Sequence, residues 1–179
     1  TSLMSSGTID GSASVEISPS CEVQGAGGRR AHRSHKIAVV RIAARNALAR
    51  GLASLTVVTG HMGREVEAAL DGLPVTIVHN QDYAEGMAGS IRAGVSALPE
   101  AADAALILLA DMPEVTAEAI DLMIAAYAPE AGVLVVGAAH EGKRGNPVLW
   151  DKSHFEALAR LEGDSGARHL LDQHPDDLA

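Results

Sequence analysis

Residues 104–110 are an unbroken apolar run, Ala-Ala-Leu-Ile-Leu-Leu-Ala, ending in Asp111-Met112-Pro113. A strand without polar alternation has to be covered on both faces, as in a parallel sheet flanked by helices. Leu55–Val58, Val75–Val78 and Val133–Val136 repeat the pattern in shorter form. Segments with helical signals separate them. Arg41–Arg50 stops at Gly51, and Gly63–Leu70 stops at Asp71-Gly72. A further helix runs from Ser90, read as its N-cap, to about Leu98, and another from the cap Thr116 through Tyr127.

Strands alternating with helices imply right-handed crossover units. The expected fold is therefore α/β, a Rossmann-like, doubly wound, mostly parallel sheet. Pro147–Trp150 reads as an edge strand, because a proline cannot donate to a ladder. Two short helices, near Ser153–Leu161 and Ser165–His174, close the chain. Residues 1–14, rich in Ser, Thr and Gly, are expected to be a flexible tail. Residues 15–179 are expected to be a single domain, its entry strand at Val15–Ile17 or Cys21–Val23.

Aromatic residues make up only 2% of the 179, so Ala, Val, Leu and Ile must fill the core. The net charge of −9 disfavours nucleic acid and anionic membranes as partners. Positive charge is concentrated at one place: Arg29, Arg30, Arg33 and Lys36, with His32 and His35 between them. Setting those four charges aside takes the remainder of the chain from −9 to −13. Cys21 is the single cysteine, which fits a reducing cytoplasm and allows no intrachain disulfide. No apolar run has the length of a membrane span. Neither a zinc-type Cys/His cluster nor a Gly-x-Ser-x-Gly elbow is present.

Open parallel sheets bind ligands beyond the carboxyl ends of their strands. That rule directs Gly60 and His61, then Asn80, then Asp111, to one crevice. Asp111 at the end of a buried strand suits Mg²⁺, which is held by one or two carboxylates plus phosphate oxygens; the same residue could simply cap the turn before Pro113. Gly25-Ala26-Gly27-Gly28-Arg29-Arg30 offers close backbone approach and charge to phosphates, or else is a solvated basic linker. Glu85-Gly86-Met87-Ala88-Gly89-Ser90 leads a loop into a helix start that would attract an anion. Arg144-Gly145-Asn146-Pro147 carries an amide that can recognise a heterocycle, although Gly-Asn-Pro is also ordinary turn chemistry. Gly163-Asp164-Ser165-Gly166-Ala167-Arg168 can open a helix through a capping Asp or Ser.

Together these segments resemble the molybdenum cofactor cytidylyltransferases, within the molybdopterin nucleotidyltransferase-like (MobA-like) family. The resemblance rests on VVTGH at 57–61, NQDYAEGMAGSIRAGV at 80–95, LLADMPEVT at 108–116, GNPVLW at 145–150 and GDSGARHLL at 163–171, in family order. It implies a nucleotide-diphospho-sugar-transferase-like fold and transfer of a nucleotidyl group from CTP to a molybdopterin-type substrate, releasing pyrophosphate. By position it implies Mg²⁺ on Asp111, with Arg33 and Lys36 as catalytic cations. Gly27, Gly28, Arg29, Arg30, Gly60, His61, Asn80, Gly86, Met87 and Ser90 would bind the nucleotide, and Asn146 and Asp164 the substrate. A molybdoenzyme or its chaperone would receive the product. Alternatives are a related enzyme with another nucleotide, another acceptor or a redox activity, or a non-catalytic cofactor-binding protein. The loop QGAGGRRAHRSHK departs from the family's Leu-Ala-Ala-Gly-x-x-x-Arg-Met-Gly-x-x-Lys. The chain ends at Ala179, short of the family's usual Asp-Ile-Asp-Thr-Pro-like motif, so the domain reads as truncated.

Overall fold

The computed structural model describes residues 12–18, 29–49, 52–110, 112, 114–140, 143–163, 167–173 and 177. Its strands are β1 (Ser12–Ser18), β2 (Ser54–Thr59), β3 (Thr76–His79), β4 (Ala102–Leu109), β5 (Val135–His140) and β6 (Lys143–Asp151). The helices are α1 (Arg29–Leu48), α2 (Gly63–Leu70), α3 (Met87–Ser96), α4 (Ala117–Ala126), α5 (Phe155–Ala159) and α6 (Arg168–Gln173). One sheet has the order β3-β2-β1-β4-β6-β5. The first four strands are parallel, and β6 runs antiparallel to both β4 and β5. This is the expected doubly wound, mostly parallel α/β sheet.

The apolar strands are covered on both sides. Leu106 and Leu108 of β4 face Val40, Ala43, Ala44 and Ala47 of α1, with Val66 and Leu70 of α2 and Ile120 and Met123 of α4 in the same cluster. The intervening Ile107 belongs to the opposite cluster, with Ile91 and Val95 of α3, Leu158 of α5 and Leu170 and Leu171 of α6. Alternation along β4 therefore separates two apolar layers. Alanines at i, i+3 and i+4 spacing on α1 give it a slim buried stripe, which lets the helix lie close to the sheet. Arg41 ties α1 to α2 by donating to the carbonyls of Ala69 and Asp71.

Several boundaries differ from the sequence reading. β1 starts at Ser12, inside the stretch read as tail, and takes in the candidate Val15–Ile17; Cys21–Val23 lies outside the described residues. Helix α1 starts at Arg29 and not at Arg41, so the basic stretch is helix from its first arginine. Without acidic residues in that first turn, the sequence carries no conventional start signal there.

Pro147 is not on an edge. β6 lies between β4 and β5, and β5 is the edge strand. The proline is tolerated because the ladder skips it. Gly137 pairs with Val148 and the next residue, Ala138, pairs with Gly145, so Asn146 and Pro147 bulge out of register. Pairing with β4 likewise stops at Val148. The missing N–H breaks no ladder bond at this point. Thr116 does cap α4, its hydroxyl accepting from the Ala119 amide at 3.3 Å.

Candidate functional site

The parallel strands end at Ser18, Thr59, His79 and Leu109, and the strand order reverses direction between β1 and β4. Ligands of doubly wound sheets sit at such a reversal. Two described regions flank it.

The first lies beyond β2 and β3. The Asn80 amide donates to the Thr59 carbonyl at 2.8 Å, which draws the two strand ends together. The Thr59 hydroxyl is 3.1 Å from Nδ1 of His79. Asn80 is buried, and both ends of its side chain are engaged. Its Oδ1 accepts from the Asp82 amide at 3.0 Å, and its Nδ2 donates to the Ser90 hydroxyl at 3.2 Å. Chain then turns through a 3-10 segment, Tyr83–Glu85, to Gly86.

Gly86, at φ 117° and ψ −179°, occupies backbone space that other residues rarely adopt, and it immediately precedes α3. Ser90 is not the N-cap the sequence suggested. It sits inside α3, buried, holding Asn80. Its hydroxyl therefore braces the loop. The sequence-predicted residues Gly60, His61, Asn80, Gly86, Met87 and Ser90 thus gather at the β2–β3–α3 corner.

Close packing explains Gly60. A Cβ there would lie 2.5 Å from Cβ and 2.8 Å from Cγ of Tyr83. Only glycine lets the 3-10 turn rest on the end of β2.

The second region is a cleft of about 740 Å³ over the face of β4 and β6, between α3 and α6. Met87, Ile91, Ile107, Leu109 and Trp150 supply apolar wall; Arg144, Asn146, Arg168 and Asp172 supply polar groups. The bulge at Asn146 is what places this residue on the wall instead of in the ladder. The α3 start is fastened to the far rim, with the Ala88 amide donating to the Gly163 carbonyl at 3.3 Å and Arg92 donating to the Leu161 carbonyl at 2.5 Å. Met87 belongs to both regions and joins the predicted nucleotide corner to the predicted substrate residue Asn146.

Asp111, Gly27, Gly28 and Asp164 lie outside the described residues; Asp111 follows the last residue of β4 by two positions. For Arg29, Arg30, Arg33 and Lys36 the backbone is described, and all four fall in the first three turns of α1. Among the described residues no group of three or more His, Cys, Asp or Glu side chains could hold a metal ion.

Sequence reasoning did not single out Tyr83, Arg168, Arg144 or Trp150 as site residues. All four stood within quoted motifs. Tyr83 carried a signal in a chain with only 2% aromatics.

Solved structures share this architecture. Rv0371c of Mycobacterium tuberculosis H37Rv, in complex with manganese, has a TM-score of 0.70 at 20% identity, covering 94% of this chain and 86% of that one. A nucleotidyl transferase from Methanothermobacter thermautotrophicus has a TM-score of 0.71 at 21% identity, covering 93% and 85%. The 4-diphosphocytidyl-2C-methyl-D-erythritol synthase of Anaerococcus prevotii has a TM-score of 0.66 at 13% identity, covering 94% and 86%. No curated protein matches the chain in sequence. The fold is that of the nucleotidyltransferase class of α/β domains. More narrowly, the chain belongs to the MobA-like NTP transferase domain family, whose model matches residues 29–178. Among the described residues no helix is long and apolar enough to cross a membrane.

Proposed function

We propose that the protein transfers a cytidylyl group from CTP to the phosphate of a molybdopterin-type cofactor. A phosphate oxygen of the acceptor forms the new bond to the α-phosphorus of CTP. The bond from that phosphorus to the bridging oxygen breaks, and the electron pair leaves with pyrophosphate. The observation that carries this reading is that the β2–β3–α3 corner adjoins the cleft, with Met87 at the start of α3 lining that cleft. A two-substrate transfer needs two adjoining sites, and positioning supplies much of its acceleration.

The nucleotide chamber would hold the triphosphate at the start of α3 and on the basic start of α1. Four cations in the first turns of α1 oppose the positive end of the helix dipole, a conflict that a bound polyphosphate relieves. The cleft would hold the acceptor, its heterocycle against Met87 and Leu109 and its phosphate near Arg144 and Arg168, with Asn146 hydrogen-bonding the ring edge. Asp111 would hold Mg²⁺, which would neutralise phosphate charge; the manganese bound by Rv0371c supports divalent-cation use in this fold. Asp164 would join the acceptor side, since Gly163 is held against α3.

Calorimetry with CTP, GTP and ATP, each with and without Mg²⁺, tests the donor. CTP is expected to bind at least about tenfold tighter than GTP, because a pocket matched to one base edge leaves polar groups unpaired with the other, and about 1.4 kcal/mol is tenfold. Equal affinity, or tighter GTP, would overturn the cytidylyl assignment. Incubating CTP, Mg²⁺ and the extracted cofactor should release pyrophosphate; tight CTP binding without release would point to a binding protein.

A further inference from the structure

We propose that Tyr83, with His61 beside it, forms the shelf on which the nucleobase stacks; this rests on the nucleotide reading above. The chain has four Phe, Trp and Tyr residues. Tyr127 and Trp150 are buried, and Phe155 packs against the α3–α5–α6 layer. Tyr83 alone stays open, at 43% exposure. In a chain that spends so few aromatics, the one left in solvent rests against Gly60 at the end of β2.

Its placement is fixed by backbone. Cβ and Cγ of Tyr83 lie where a side chain at Gly60 would have to go, so the ring is propped on the end of β2 and not sunk in an apolar pocket. The exposed His61 ring stands 6.0 Å away, tilted by 48°. Two open rings at a fixed angle offer π-faces to a planar heterocycle, and every base has such a face.

The direction of the chain adds to the argument. Tyr83 precedes Gly86 by three residues, so one loop carries the shelf at one end and the phosphate-attracting start of α3 at the other. Asn80 anchors that loop through Asp82 and Ser90, which holds shelf and helix start in a fixed relation. Base on Tyr83 and phosphates at Gly86 would leave the acceptor cleft free on the far side of Met87.

The test uses Tyr83→Leu, which keeps Cβ and Cγ against Gly60 while removing the ring, and Tyr83→Phe, which keeps the ring. Affinities for CTP and for inorganic tripolyphosphate, both with Mg²⁺, are measured by calorimetry on the full chain. Stacking on an aromatic corresponds to roughly fivefold to a hundredfold in affinity. Tyr83→Leu is expected to lose about tenfold for CTP and nothing for tripolyphosphate, with Tyr83→Phe restoring CTP binding. Unchanged CTP affinity in Tyr83→Leu would overturn the shelf. Equal loss for both ligands would also overturn it, by showing that the ring only sets the loop. A wild-type chain that binds tripolyphosphate no more weakly than any nucleotide would remove the nucleotide reading itself, and the shelf with it.

Discussion

Asn80→Ala removes two hydrogen bonds and leaves the buried Ser90 hydroxyl without its partner. Each lost bond costs about 0.5–1.5 kcal/mol net, and an unsatisfied buried group adds to that, so the substitution is expected to cost about 2–3 kcal/mol. In a domain of this size about 1 kcal/mol corresponds to roughly 2–4 °C, so the melting temperature should fall by about 4–12 °C. Urea titration should show a lower midpoint with an unchanged slope, since the surface exposed on unfolding hardly changes. Ser90→Ala alone should cost less, and the double variant less than the two singles together. The expected coupling is about 0.5–1.5 kcal/mol. Strictly additive single and double variants, or a melting shift under about 2 °C, would refute the view that Asn80 fastens α3 to the end of β3.

Asp111→Asn should abolish most turnover while leaving the melting temperature near the wild-type value, because losing a charged metal ligand costs several kcal/mol of transition-state stabilisation; near-normal turnover would refute the assignment. Neutralising Arg29, Arg30, Arg33 and Lys36 together should weaken triphosphate binding far more than it lowers the melting temperature, since charge-assisted contacts to phosphate are strong and solvated charges contribute little to folding. Unchanged nucleotide affinity would refute it. The Asp151 carboxyl is pushed up by burial but more strongly down by hydrogen bonds from Ser153 and Tyr127, so it sits below the ordinary carboxylate range. A carboxyl depressed in the folded state stabilises above its unfolded pKa of about 4 and loses that contribution as pH falls through the folded value. Tyr127→Phe removes the 2.5 Å bond to Asp151, so the melting-temperature gap between it and wild type should narrow below about pH 4; a constant gap down to pH 2 would refute the role of that bond.

The fold was legible because Ala104–Ala110 and its shorter counterparts carry their burial in their composition. Helix α2 matches its expected span residue for residue, since Gly63 and Asp71-Gly72 punctuate both ends. Helix α3 was legible as an element but not at its start. Ser90 has the chemistry of a cap, yet the turn at Gly86 begins the helix earlier and leaves the serine to bond across to Asn80. Pro147 misled for a related reason. A proline excludes ladder pairing at one residue, and a bulge can absorb that residue in an interior strand as well as an edge can. Local chemistry reports what a residue is able to do, whereas its partner is set by how neighbouring segments pack. Distance in sequence hid the cleft, whose walls come from residues 87 to 172 and are brought together by the antiparallel pairing of β4 and β6.

Because β6 runs against its neighbours, it brings its beginning, and not its end, to the side of the sheet where β4 finishes. Arg144, upstream of the bulge, and Asn146, within it, thus stand toward the β5 end of β6, outside the stretch that locks β6 to β4. Insertions or swaps in that tip would alter what the cleft receives without sliding Val148, Leu149 or Trp150 out of register. On the proposed function, the arrangement would let the choice of acceptor drift between descendants of one scaffold while the β2–β3 side stays as it was.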